Sequence, residues 1–253
     1  MLSDMKVTVL DGFVKTRSSD YEANINSNMK VFVVLSTLMV AASATYCYRN
    51  VNEICSKSHH SSDVPLKNCN ATYGHFDKIH SELEQYANAQ IEASFKYLLM
   101  SSYFGNFMSN RDGFKGFYRK LSDQAWDDAK DLINFITQRG GNMNFNDEAK
   151  FWSDDDEKVL QIKDNLSEFD SMSNVLDNYK KLSDEALKIH AETAKHTEAD
   201  GSVAHYLEER FFNRQAKTVH TLAGYVNDLK RFFSAPDASL AVFLFDEYLQ
   251  TSM

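Results

Sequence analysis

The chain has 253 residues, enough for one or two domains, and a formal net charge of −9. That charge speaks against a nucleic-acid partner, which would need a basic face. Nine Gly and two Pro (Pro65 and Pro236) leave long stretches without a breaker, which favours long helices over a sheet with many turns.

Near the start, Met29-Lys30 precedes the apolar run Val31–Val40, and Ala42-Ser43-Ala44 follows it. A basic residue, a short apolar core and an Ala-x-Ala site make the pattern of a secretory signal peptide over 29–44. The run is too short for a comfortable membrane span, and a hydrophobic anchor is the alternative. Signals normally begin at the initiator, so the expected start is Met29, with 1–28 a non-native or disordered extension. No membrane insertion is expected after cleavage.

Residues 45–76 hold all three cysteines, Cys47, Cys55 and Cys69. Clustered cysteines in a secreted protein read as disulfides, and the odd count leaves one to join another chain. Spacings of eight and fourteen match no zinc pattern. Asn70-Ala71-Thr72 and Asn165-Leu166-Ser167 are candidate glycosylation sequons. His59-His60 lies in a Ser-rich stretch and reads as a solvated loop.

The helical body follows. The first helix is expected over about 77–104, with Leu83, Ala87, Gln90, Ser94, Tyr97 and Ser101 as its inner seam. A turn-rich stretch, 105–113, leads to a second helix over about 114–139. Its Leu121, Ala125, Asp128, Leu132 and Phe135 share one face. Gly140 and Gly141 then stop it, since glycine takes a left-handed cap without strain. Asp128 is a carboxylate on a face that should be buried, and so must be paired, hydrogen-bonded or metal-bound.

From Gly140 to about Asn165 runs a connection long enough for a parallel crossover between bundle ends. The third helix is expected over about 167–195, its inner stripe Met172, Val175, Tyr179, Leu182, Ala186 and Ile189. The fourth is expected over about 203–233, with Leu207, Phe211, Gln215, Val219, Val226 and Leu229. Ala235-Pro236 ends it. A short, strongly apolar fifth helix spans Leu240–Leu249. Packing several such ends in an assembly would bury it; lying across its own bundle is the alternative.

Four motifs carry a resemblance. Ala93-Ser-Phe-Lys-Tyr-Leu-Leu-Met-Ser-Ser-Tyr-Phe104 resembles the first helix of the ferritin family, and Gln138-Arg-Gly-Gly141 the close of its second. Phe211-Phe-Asn-Arg-Gln-Ala-Lys217 resembles a stretch of the fourth helix, and Ala235–Asp246 the junction to the fifth. The signal and the early cysteines are similar to secreted insect ferritins, light-chain type. The resemblance implies an all-α fold over 77–250: a ferritin-like four-helix bundle with a long crossover connection and a short fifth C-terminal helix. It also implies a shell of twenty-four subunits that admits Fe(II) and stores a ferric mineral, with no organic cofactor.

Ferroxidase chemistry needs two irons held by hard oxygen and imidazole donors. The family's ligand positions fall here on Gln90, Tyr97, Ala125, Asp128, Tyr179 and Gln215. Only Asp128 is an acid, so no ferroxidase centre is expected. Asp128 is instead expected in a residual polar network, hydrogen-bonded to Tyr97 or Tyr179. Mineral nucleation falls to Asp123, Asp127 and Asp131, a row of acids one turn apart; a solvated exterior face is the alternative. Glu148, Asp154, Asp155 and Asp156 in the crossover are expected on the exterior. His190, His205 and Glu208 match threefold-pore positions, or else make a polar subunit contact.

The resulting expectation is a non-enzymatic storage subunit. It assembles with heavy-chain ferritin and copies of itself, with a disulfide to another chain expected, in the secretory pathway (ER and Golgi lumen) or outside the cell. A subunit with an altered but active ferroxidase site is the alternative, and a secreted helical cytokine-like protein a remote one.

Overall fold

A computed structural model describes residues 47–48, 51, 66, 69–146, 166–195, 200–234 and 236–251. The signal at 29–44, Cys55, His59-His60, the crossover acids and Asn165 lie outside these. The chain divides into two compact units, Met1–Asn70 and Ala71–Met253. In the first, Cys47 and Cys69 form a disulfide, and the Cys69 amide donates to the Leu66 carbonyl at 3.0 Å.

The second unit is the helical bundle, and no strand occurs among the described residues. Its elements are α1 (Phe76–Phe104), α2 (Asp112–Gln138), α3 (Glu168–Ala194), α4 (Gly201–Leu207), a π turn (Glu208–Phe212), α5 (Asn213–Phe233) and α6 (Ala238–Thr251). α4, the π turn and α5 follow one another without a break and together make the fourth rod. The expected seams of α1 and α3 are buried throughout. One aromatic and aliphatic core runs through all the rods, from Phe76 to Leu249.

Each boundary has a local cause. α1 and α2 join through a turn in which Asn106 Oδ1 accepts from the amides of Met108 (2.8 Å) and Ser109 (2.9 Å). The Ser167 side chain caps α3 by accepting from the Asp170 amide at 3.0 Å, a contact worth about 1 kcal/mol. α2 ends as expected at Gly140, whose φ of 83° only glycine adopts freely. The Gly140 amide donates to Thr137 and the Gly141 amide to Ile136, the paired bonds of a Schellman cap.

The start of the crossover is strapped to α1 by side chains one turn apart. His80 Nε2 meets the Asn142 carbonyl at 2.8 Å, Glu84 accepts from the Asn144 amide, and Asn88 donates to the Asn144 carbonyl at 3.0 Å. At the far end the Leu166 amide donates to Tyr103 Oη at 3.1 Å, and Arg111 pairs with Glu168 at 2.8 Å. α3 therefore begins at the end of the bundle where α2 begins. The two run parallel, as the long connection requires.

Two expectations about faces need correction. Phe135 is only partly buried and Ile136 takes the core position; the Phe135 ring stacks on Tyr206 at 4.0 Å. On the fourth rod Leu222 is buried, whereas Val219 and Val226 are partly buried. In α5 the buried residues Gln215, Leu222 and Leu229 step by seven, so Val219 and Val226 stand on the flank of that stripe; upstream, the π turn sets a different spacing. Val203, Leu207, Phe211 and Gln215 are buried at steps of four, so three turns take twelve residues where a regular helix needs about eleven.

Candidate functional site

The six positions singled out on the helices converge inside the bundle. Gln90, Tyr97, Ala125, Asp128, Tyr179 and Gln215 are all buried. α1 supplies the first two, α2 the next two, and α3 and α5 one each. The Tyr97 and Tyr179 rings stack, 5.9 Å between centroids and 10° from parallel. Gln215 Nε2 donates to Tyr86 Oη at 2.7 Å, while Gln215 Oε1 and Tyr97 Oη have no hydrogen-bond partner.

Asp128 does not bond to either tyrosine. Its Oδ1 accepts from Arg214 at 2.5 Å and from Gln124 Nε2 at 3.2 Å. Burial raises its carboxyl above the usual range, and Arg214, Gln124 and Arg210 act against that rise. The charge is felt around it. Tyr86, Tyr179 and Tyr206 all have raised phenol pKa values, mainly from burial, with Asp128 adding to each. Tyr97 is raised as well, first by burial and then by Tyr179 and Tyr118. Protonated phenols supply no charge to a cation. Arg214 was missed in the sequence, although it stands one residue before a singled-out glutamine.

The three acids beside this stripe each hold a cation. Asp123 pairs with Arg119 at 3.0 Å, Asp127 with Lys130 at 2.7 Å, and Asp131 with Arg210 of the π turn. Asp123 and Asp127 are exposed and Asp131 is partly so. Exposed pairs of this kind hold by about 1 kcal/mol or less.

The pore candidates gather near the start of the fourth rod, in a different pairing from the sequence spacing. Glu208 Oε1 meets His190 Nε2 of α3 at 2.7 Å, whereas His205 lies 3.6 Å from Glu209. Among the described residues, no group of three or more His, Cys, Asp or Glu is placed to hold a metal ion. Asn70 is exposed.

One buried ion pair stands outside all these sets. Arg139 makes a fork to Asp200 (3.2 and 2.7 Å), and its Nη2 also donates to the Tyr73 carbonyl at 3.0 Å. Its guanidinium lies 4.0 Å from the Tyr73 ring centre and 5.0 Å from that of Phe76. Asp200 in turn accepts from the Val203 amide at 3.2 Å and caps α4. The Asp-Gly-Ser-Val order at 200–203 was the available signal for that cap.

Comparison with known proteins gives a consistent result. The family described as Ferritin, ferritin-like domain, matches residues 81–232. A ferritin light chain of Drosophila melanogaster is 36% identical, over 88% of this chain and 96% of its own length. A ferritin light chain of Trichoplusia ni is 35% identical, over 89% and 100%. The crystal structure of Trichoplusia ni secreted ferritin superposes with a TM-score of 0.72 at 35% identity, covering 82% of this chain and 99% of that one.

Proposed function

The chain belongs to the ferritin family, and from that premise we propose that it is an iron-storage subunit of light-chain type, without a ferroxidase centre of its own. One observation carries this reading. Of the six converging positions only Asp128 is an acid, and its charge is already matched by Arg214. Two buried iron cations need several carboxylates to neutralise them, and a neutral amide, a methyl group and stacked phenols do not serve. The likeness to two proteins named ferritin light chain supports the same conclusion.

In this role the chain builds a multi-subunit shell with heavy-chain subunits, and the partner oxidises Fe(II). Ferric product then grows on Asp123, Asp127 and Asp131, where Fe(III) displaces the weakly held Arg119, Lys130 and Arg210. His190, His205 and Glu208 line a pore at a threefold axis, where three copies pool their ligands. Likeness to a secreted ferritin supports passage through the secretory pathway, with the signal at 29–44 cleaved and Asn70 and Asn165 open to glycosylation. Since Cys47 and Cys69 pair with each other, Cys55 is the cysteine that bridges to another subunit.

The test is dioxygen-dependent Fe(II) oxidation by the assembled chain alone and with added heavy chain. Slow oxidation alone, at least ten-fold below the mixed shell, is the expected result. Fast oxidation by the chain alone overturns the reading in favour of an altered but active ferroxidase.

A further inference from the structure

The chain just before α1 is seated on the closed end of α2. Gly140 packs so tightly there that a methyl group on it would stand 2.9 Å from both the amide nitrogen and Oγ1 of Thr72, and 3.1 Å from the Ala71 carbonyl carbon. One residue on, the Tyr73 carbonyl accepts from Arg139 at 3.0 Å, and the Tyr73 ring lies against the same guanidinium. Gly74 follows with a φ of 66°, and a methyl group there would stand 3.2 Å from Asp200 Oδ2. Asp200 in turn fixes Arg139. Residues 71–74 are thus pinned by Arg139, Gly140 and Asp200.

Thr72 is also the third residue of the sequon Asn70-Ala71-Thr72. Glycan transfer needs its hydroxyl as well as the Asn70 amide, because the transferase must hold the whole Asn-x-Thr segment while the amide reacts. In the transfer Asn70 Nδ2 bonds to C1 of a sugar carried on a lipid diphosphate. The C1–O bond to the diphosphate breaks, the diphosphate leaves with the electron pair, and the amide gives one proton to a base. Asn70 is exposed, but Thr72 is partly buried. Seating the sequon in a transferase would lift residues 71–74 off Gly140 and break the Arg139–Tyr73 bond, whose guanidinium is buried.

We infer that docking of residues 71–74 on the α2 cap is a gate that closes the Asn70 sequon to glycosylation. Transfer takes place before the bundle closes, and the folded chain is refractory. Asp200 is made long after Asn70, so the gate stays open while the intervening helices are synthesised. The inference rests on the secretory reading, and adds when Asn70 can be modified and which contact ends that period.

The test is glycan transfer in vitro with purified oligosaccharyltransferase and a lipid-linked oligosaccharide, read at Asn70 by mass spectrometry. The acceptor is the assembled full-length protein secreted from tunicamycin-treated cells, so that it carries no glycan. A peptide of residues 66–76, which holds the sequon without the bundle, sets the rate of an open site. Folded wild type is expected to react at least ten-fold more slowly than the peptide. Gly140→Ala, whose methyl group would push Thr72 off its seat, is expected to react at least three-fold faster than wild type. Tyr73→Ala, read against a peptide with the same change, is expected to show a smaller gain, since the backbone bond to Arg139 stays. An assembled Gly140→Ala that reacts no faster than wild type overturns the gate. If Gly140→Ala does not assemble, Tyr73→Ala decides: a gain over wild type supports the gate and an unchanged rate overturns it. Equal rates for folded wild type and the peptide overturn the gate and leave the secretory reading standing. No transfer to the peptide overturns the gate together with glycosylation of Asn70.

Discussion

Asp123, Asp127 and Asp131 are separated by four residues each, and each is paired with a cation, two from α2 itself and one from the π turn. Their proposed work is to exchange those cations for Fe(III), so charge and not fold is at stake. Replacing all three with Asn should slow mineral growth several-fold in shells reconstituted with heavy chain, while the shells themselves form normally. Unchanged core growth, followed by absorbance, would leave the row as an ordinary solvated face. Asp200 has the opposite character, since its charge serves the fold. Burial by itself would raise its pKa, but the Arg139 hydrogen bonds and charge and the Val203 and Ser202 amides outweigh this and hold it below the ordinary value. A carboxyl lowered in the fold contributes stability that is present above its unfolded pKa and lost as pH falls through its folded one. Wild type should therefore lose stability below about pH 4, the ordinary carboxylate range. Asp200→Asn, which strands Arg139, should lose about 3–5 kcal/mol at neutral pH and show a flatter acid limb in denaturant titrations across pH.

α2 has no side-chain cap from its own N-terminal residue, Arg111. α6 supplies one, for the buried Asp246 accepts from the Phe114 amide at 3.0 Å. Gly113 makes the approach possible, because a methyl group there would stand 2.0 Å from the Asp246 carbonyl oxygen. Gly113→Ala should thus push α6 off the bundle and speed its cleavage in limited proteolysis at least ten-fold, with the α1–α2 pair intact. Proteolysis at the wild-type rate would show that α6 tolerates the shift. The helices themselves were legible in the sequence, because steps of three and four residues mark a buried face wherever the helix is regular. Leu83 to Ser101 and Met172 to Ile189 follow that rule. On the fourth rod Leu207, Phe211, Gln215 and Leu229 are buried as their spacing foretold, whereas Val219 and Val226 flank the stripe of Gln215, Leu222 and Leu229 and are only partly buried. The partners of Asp128 were not legible. Its spacing placed it on a buried face, but nothing on α2 says that Arg214, 86 residues away, would reach it.

For the whole molecule, α6 leaves Leu240, Phe243, Leu244 and Tyr248 about half exposed. Contiguous apolar surface of this kind marks an association site, in keeping with the shells that ferritins form. With Cys47 and Cys69 joined, Cys55→Ser should abolish a disulfide-linked heterodimer band on non-reducing electrophoresis of co-expressed light and heavy chains, and persistence of that band would assign the bridge elsewhere. The bundle and its long crossover could be foreseen from breaker-free stretches and one long connection. The pairing of the three cysteines could not, because spacing alone does not choose between connectivities. Arg139 has a consequence in time as well as in stability. It joins Tyr73, 66 residues back, to Asp200, 61 residues on, so its contacts form only after two long loops have closed. Local helix pairing comes earlier and at lower entropic cost. The Arg139–Asp200 lock therefore belongs to the late side of the folding barrier, where its loss leaves the folding rate nearly unchanged and accelerates unfolding. Loss of that pair would therefore shorten the lifetime of the folded subunit.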